Sequence, residues 1–154
     1  MRALIQRVTE ASVSINNETV SAIGPGLVVL LGVSKEDDEG DARYLVEKIS
    51  NLRIFADDTN RFNLSASEIG AEILVVSQFT LYGDSRKGRR PDFNQAAVAT
   101  DAKRLYEHAV QLFQEIGLVV ATGRFQEHML VKIQNDGPVT MMLDSSDRHK
   151  PRRG

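Results

Sequence analysis

The chain has no cysteine among its 154 residues. That excludes disulfides, a thiolate nucleophile and any cysteine-bound zinc, and it suits a reducing compartment. Long hydrophobic runs are missing as well. The longest apolar block, Leu27–Val33, falls far short of the ~20 residues that a membrane helix needs. The start, Met1-Arg2-Ala3-Leu4-Ile5-Gln6-Arg7, lacks the apolar core of a secretion signal. A cytoplasmic protein is the expectation. Histidine is scarce, with three residues, and none of His108, His128 and His149 stands at metal-ligand spacing with another histidine or carboxylate. No metal site is expected.

What is present is ordinary in bulk and uneven in detail. An apolar fraction of 42% and a charged fraction of 26% suit a globular protein. A chain of this length fits one domain that buries roughly 68–70% of its unfolded surface. The net charge is −2. Arg86, Lys87, Arg89 and Arg90 cluster in one loop, and Arg148, Lys150, Arg152 and Arg153 crowd the tail, so the remainder is strongly acidic. Such clusters can contact phosphates. A solvated loop and a polar tail explain the same residues.

No linker or repeat divides the sequence. Short strands are expected at Ala3–Thr9, Ser12–Ile15, Glu18–Ile23 and Leu27–Val33, with Asn16-Asn17 and Gly24-Pro25-Gly26 as turns. Leu27–Val33 does not alternate, which predicts cover on both faces. Ala42, Leu45, Val46, Ile49 and Leu52 recur at helical steps and predict a first helix after the acidic 35–40 loop. Arg53-Ile54-Phe55 reads as a strand, 56–71 as loop-rich and 72–81 as a strand. A second helix spans about 100–116, with Ala102, Leu105, Ala109, Leu112 and Ile116 on its core face, ended by Gly117. Strands near 118–121, 129–135 and 139–143 follow. The pattern predicts an α+β domain over 1–143, a curved mixed sheet or barrel-like core with two main helices outside. Residues 144–154 read as a flexible basic tail.

Two segments depart from simple patterning. Glu72–Leu81 places Ser77, Gln78 and Thr80 in an apolar run, and burying such groups unpaired costs roughly 1–3 kcal/mol each. Asn135-Asp136-Gly137-Pro138-Val139-Thr140 interrupts a β-like run with two poor strand formers, marking a shaped turn. Familiar catalytic patterns are missing around them. Ser77 has Val75 and Phe79 where a hydrolase elbow needs glycines. Gly83–Gly88 lacks the phosphate-loop spacing. Asp37-Asp38 and Asp57-Asp58 sit in turn-like loops. What remains is backbone: N–H groups at Gln78–Thr80 can stabilise an oxyanion without a titratable side chain. A polar strand end and a tight turn are the structural alternatives.

Taken together, the two segments resemble the SQFTL and NDGPVT motifs of D-aminoacyl-tRNA deacylases of the bacterial and eukaryotic type. The likeness extends through Ala3–Val8, Ala11-Ser12-Val13, Ile23–Leu27, Leu52–Phe55, Arg90–Phe93 and Thr122–Phe125 and covers residues 1 to about 143. The resemblance implies hydrolysis of the ester joining a D-amino acid to the terminal adenosine of tRNA, and of glycyl-tRNA mischarged on tRNA(Ala). L-aminoacyl-tRNA is rejected, no cofactor is used, and neither membrane nor DNA is a partner. It also implies a homodimer, with a cis Gly137-Pro138 turn of one subunit inserted into the pocket of the other. Both carbonyls would hold the substrate amino group and leave no room for an L side chain.

In that picture the Phe79 and Thr80 N–H groups bind the oxyanion, and Ser77 and Gln78 shape the adenosine pocket. Arg7 braces the turn, and Met129 and Asn135 join Gly137 and Pro138 in substrate selection. Arg86, Lys87, Arg89 and Arg90 contact tRNA phosphates. The attacking water is activated by the 2′-hydroxyl of the terminal ribose, the group that separates RNA from DNA. Thr80 has no adjacent base to make it a nucleophile. The chain departs from the family at Gln126-Glu127-His128, where many relatives carry small residues and an aspartate at the pocket rim. A non-catalytic tRNA-binding module, an esterase of small D-amino-acid esters and a purely structural barrel are the rival readings.

Overall fold

The computed structural model describes all residues, Met1–Gly154. Its spine is one long strand, β1 (Arg2–Ile15), where the sequence suggests two. The N-terminal half of β1 pairs with β3 (Gly26–Gly32), and its C-terminal half pairs with β2 (Glu18–Ile23). The sheet thus bends along β1, with a register shift between Val13 and Ser14. Asn16 and Asn17 both take positive φ in the β1–β2 turn, as tight hairpins require.

From β3 the chain crosses through α1 (Glu39–Asn51), the β4 (Arg53–Ala56) and β5 (Phe62–Ser65) hairpin and the short α2 (Ala66–Ile69). It returns as β6 (Glu72–Ser77), parallel to β3. A second crossover, α3 (Ala99–Glu115), leads to β7 (Val119–Thr122), parallel to β6. Parallel neighbours need such crossovers, which place a helix over the sheet. The Asp38 carboxylate accepts from Asp41 N–H while Asp41 accepts from Asp38 N–H, a reciprocal cap that starts α1.

The final strand, β8 (Leu130–Asp144), pairs with β1 along nearly its whole length. β2 also packs against β6 and β7, so the sheet nearly closes into a barrel. Alternation on the middle strands then serves two cores. Leu27, Val29, Leu31, Ile73 and Val75 face outward, where Leu45, Ile49, Leu105 and Phe113 of the helices cover them. Val8, Val13, Val28, Leu74 and Val76 fill the interior. No helix is long and apolar enough to cross a membrane.

Three local readings change. The 72–81 run is not one strand: the sheet ends at Ser77, and Phe79–Tyr82 form a single 3-10 turn. Gln78 N–H still donates to the Leu31 carbonyl at 2.8 Å, and the chain then turns away. The loop-rich 56–71 segment contains β5 and α2. The tail does not leave the fold at Asp144. Ser145–His149 form another 3-10 turn, Ser145 is buried, and its N–H bonds the Met1 carbonyl at 2.8 Å. The Met1 amine contacts Asp37 at 2.6 Å and Ser145 Oγ at 2.5 Å, while Arg148 pairs with Asp38 and Asp41. Charge pairing, which polar composition conceals, holds this segment down.

Candidate active site

The SQFTL-like segment sits where β6 leaves the sheet. Ser77 closes β6, Gln78 is half-buried, and the Phe79 ring is 56% exposed although it is large and apolar. Arg2 ties the turn to β1 by donating from Nη1 to the Leu81 carbonyl at 2.9 Å, with its guanidinium 4.6 Å from the Tyr82 ring centre. Phe93 meets the Phe79 ring edge-on at 5.0 Å. No side chain caps the turn, so the N–H groups at its start, Phe79 and Thr80, are backbone donors of the kind a helix end leaves over. Gln78 Nε2 makes a short hydrogen bond to Thr80 Oγ1. No carboxylate or histidine is hydrogen-bonded to that hydroxyl.

Beside this turn lies a cavity of about 420 Å³ lined by Ser77, Phe79, Ala102, Phe125, Glu127 and Met129, with Gln126 and three further alanines. The alanines of the 96–102 segment leave the space. Glycine completes it on the other side: a Cβ on Gly123 would fall 2.6 Å from Met129 Sδ. Arg124 N–H donates to the same sulfur at 3.3 Å. Ser77, Phe79 and Met129, far apart in sequence, are thereby brought together. Phe125 and the alanines were missed by sequence reasoning. The small residues clustered at the start of α3 were the available signal, since they vacate volume next to a polar strand end.

The second segment forms a separate feature. Val8 pairs with Asn135 and Gln6 with Thr140, so two steps on β1 match five on β8. Three extra residues are therefore extruded as a tip carrying Asp136, Gly137 and Pro138, and the Gly137–Pro138 bond is cis. Asn135 staples the tip: its Oδ1 accepts from Val139 N–H at 3.3 Å and its Nδ2 donates to Thr140 Oγ1 at 2.8 Å. Gln6 Nε2 reaches the same hydroxyl at 3.2 Å.

Arg7 is partly buried behind the tip. Its Nη1 donates to the Ile54 carbonyl at 2.8 Å, its Nε lies 3.3 Å from Asp136, and Phe62 stacks 5.3 Å from the guanidinium. Gly137 has φ +119, and a Cβ there would sit 2.9 Å from Val139 Cγ2 and 3.1 Å from Arg7 Nη2. None of Arg7, Asn135, Gly137 and Pro138 lines the 420 Å³ cavity of the same chain.

The basic residues lie on a third element. Asp84 and Asp92 exchange backbone hydrogen bonds at 2.7 and 2.8 Å and close the loop that carries Arg86, Lys87, Arg89 and Arg90. Arg86 is engaged within it: its guanidinium binds Asp84 and holds that carboxyl down to about 2. Lys87, Arg89 and Arg90 are exposed and make no ion pair. Of the histidines, His108 is half-buried on α3 and His128 is exposed beside the cavity rim.

The chain's likeness to known proteins points the same way as these two segments. The family model for D-Tyr-tRNA(Tyr) deacylase matches residues 4–144. A D-aminoacyl-tRNA deacylase from Heliobacterium modesticaldum is 58% identical over 94% of this chain and 96% of its own length. One from Dehalococcoides mccartyi is 55% identical over 99% of this chain and all of its own. Among solved structures, one titled c-Myc DNA Unwinding Element Binding Protein superposes with a TM-score of 0.88 at 42% identity, covering 94% of this chain and 98% of that one. A probable eukaryotic D-amino acid tRNA deacylase shares the fold, with a TM-score of 0.79 at 20% identity, covering 93% and 98%. With the family model spanning nearly its whole length, the chain belongs to the D-Tyr-tRNA(Tyr) deacylase family.

Proposed function

We propose that this protein hydrolyses the ester between a D-amino acid and the terminal adenosine of tRNA, freeing both, and that glycine mischarged on tRNA(Ala) is also removed. The observation that carries the reading is the pairing of an apolar, alanine-lined cavity with the uncapped Phe79 and Thr80 N–H groups at its edge. Such donors suit a carbonyl oxygen that gains charge in the transition state. Ser77 and the apolar walls suit the adenosine. The water oxygen attacks the ester carbonyl, and the 3′-oxygen leaves as the ribose hydroxyl. The substrate's own 2′-hydroxyl serves as the activating group, since Thr80 Oγ1 is bonded to an amide and to no base.

Selection between mirror images falls to the Gly137-Pro138 tip, held by Arg7 and Asn135. The tip lies off the cavity of its own chain, which supports a homodimer in which each subunit's tip enters the other's cavity. The outer edge of β8 is free of strand partners, and Leu130 and Met142 on it are exposed apolar residues suited to such a contact. Lys87, Arg89 and Arg90 are the cations free to meet tRNA phosphates.

The test is hydrolysis of one tRNA charged with D-tyrosine, L-tyrosine or glycine by the purified protein. Release of D-tyrosine and glycine with L-tyrosyl-tRNA untouched is expected. Equal release of both enantiomers, or of neither, sinks the reading.

A further inference from the structure

Of the ten residues around the 420 Å³ cavity, Glu127 is the one that carries charge. Its place there is built. Gln126 takes φ +64, an uncommon backbone for a side chain of that size, and turns the chain at the cavity mouth. Glu127 N–H donates to the Arg124 carbonyl at 3.3 Å, and Arg124 N–H is held by Met129 Sδ at 3.3 Å, so both ends of the turn are fixed. The Glu127 carboxylate has one cationic neighbour, Arg124 Nε, at 3.9 Å, with both side chains about half exposed. That separation exceeds a hydrogen bond, and such pairs contribute little. The carboxylate charge therefore remains available to whatever occupies the cavity.

We infer that Glu127 selects among D-aminoacyl groups by charge, disfavouring anionic acyl side chains and favouring cationic ones. The inference rests on the reading of this cavity as the aminoacyl-adenosine site. In an aminoacyl-tRNA the acyl group is esterified to the ribose of the terminal nucleotide, so an adenosine in the cavity brings the acyl side chain within about one ribose of the mouth. A separation of about 8 Å at an effective dielectric of about 40–80 corresponds to a roughly two- to sixfold preference per unit charge. The α-amino group is common to every substrate and cancels in comparisons between them. Any repulsion between Glu127 and the tRNA phosphates cancels likewise.

The experiment uses a single tRNA acylated chemically with D-glutamine, D-glutamate or D-lysine, with kcat/KM measured for the wild type, E127Q and E127K. D-Glutamine and D-glutamate are matched in shape and differ in charge. The wild type is expected to favour D-glutaminyl over D-glutamyl ester roughly two- to sixfold and D-lysyl over D-glutamyl more strongly. E127Q brings these ratios close to one and E127K inverts them. Raising the salt to about 1 M shrinks the wild-type ratios, because exposed charges are then screened within about 3 Å. Ratios that stay the same in all three proteins, while D-glutaminyl ester is hydrolysed, overturn the role of Glu127 alone. Failure of the wild type to hydrolyse D-glutaminyl ester overturns both the inference and the reading it rests on.

Discussion

Alanine in place of Gly137 isolates the shape of the β8 tip from the rest of the molecule. Two physical terms oppose it. At φ +119 an L side chain meets its own backbone, and holding a residue in so sparsely populated a region costs about 1–3 kcal/mol. The new methyl also lies 2.9 Å from Val139 Cγ2 and 3.1 Å from Arg7 Nη2, both inside ordinary contact. Arg7 cannot simply swing aside, because Ile54, Asp136 and Phe62 hold its guanidinium. The tip must shift instead.

A total loss of about 2–4 kcal/mol lowers Tm by roughly 4–16 °C for a chain of this size. It leaves a domain with typical stability of 5–15 kcal/mol folded at 25 °C. The shift of the tip is expected to reduce kcat/KM on D-tyrosyl-tRNA about 10- to 100-fold and to narrow the gap between D and L substrates. Scanning calorimetry and deacylation of the two enantiomers report the two effects separately. A wild-type Tm refutes the steric argument. Wild-type kinetics with a lowered Tm remove the tip from the substrate site altogether.

The exchange of tips between subunits is checked by mixing two impaired proteins, G137A and the cavity-filling A102F, through unfolding and refolding. Statistical mixing restores roughly a quarter of the sites if tip and cavity come from different chains, and none if they come from one. Thr80→Ala is expected to retain substantial activity, whereas tRNA ending in 2′-deoxyadenosine is hydrolysed poorly; the opposite pair of results makes threonine the nucleophile. Neutralising Lys87, Arg89 and Arg90 should flatten the salt dependence of tRNA binding by about 2–3 in log–log slope, against less than one for R86A, whose charge Asp84 already occupies. Burial alone would raise the Asp144 carboxyl, yet Ser146, Arg2 and the Met1 amine hold it below the usual carboxylate range. A carboxyl depressed on folding stabilises above that range and stops doing so as the pH falls through its folded value. Thermal unfolding between pH 6 and 2 should therefore show a smaller acid loss for D144N than for the wild type.

How much was readable from sequence follows from which interactions are local. Helical periodicity found α1 and α3 within a residue or two, because each buries a stripe written at steps of three and four, although Ile116, expected on the core face, caps α3 and is exposed. The unbroken apolar run of β3 correctly implied cover on two faces, with Val28 turned to the barrel interior and Leu27 and Val29 to the helices. The end of β6 was not readable. Glu72–Leu81 stays apolar past Ser77, and what turns the chain there is non-local: Leu31 receives the Gln78 N–H, and Arg2 anchors the Leu81 carbonyl from β1.

The two halves of the candidate site differ in the same way. The SQFTL-like residues and the Gly-Pro tip are each contiguous, so a motif finds them. The cavity itself is a volume, made by alanines 96–102 that do no chemistry and by a glycine that admits Met129. Absent atoms leave little mark in a one-dimensional pattern. The same reasoning explains the basic loop, where four adjacent cations look equivalent in sequence. Asp84 is itself only two positions from Arg86, but its preference for that cation over Lys87 depends on a turn that the Asp84–Asp92 backbone bonds create. Charge that is free to act on a ligand is thus a property of the folded loop, and it divides Arg86 from its three neighbours before any RNA arrives.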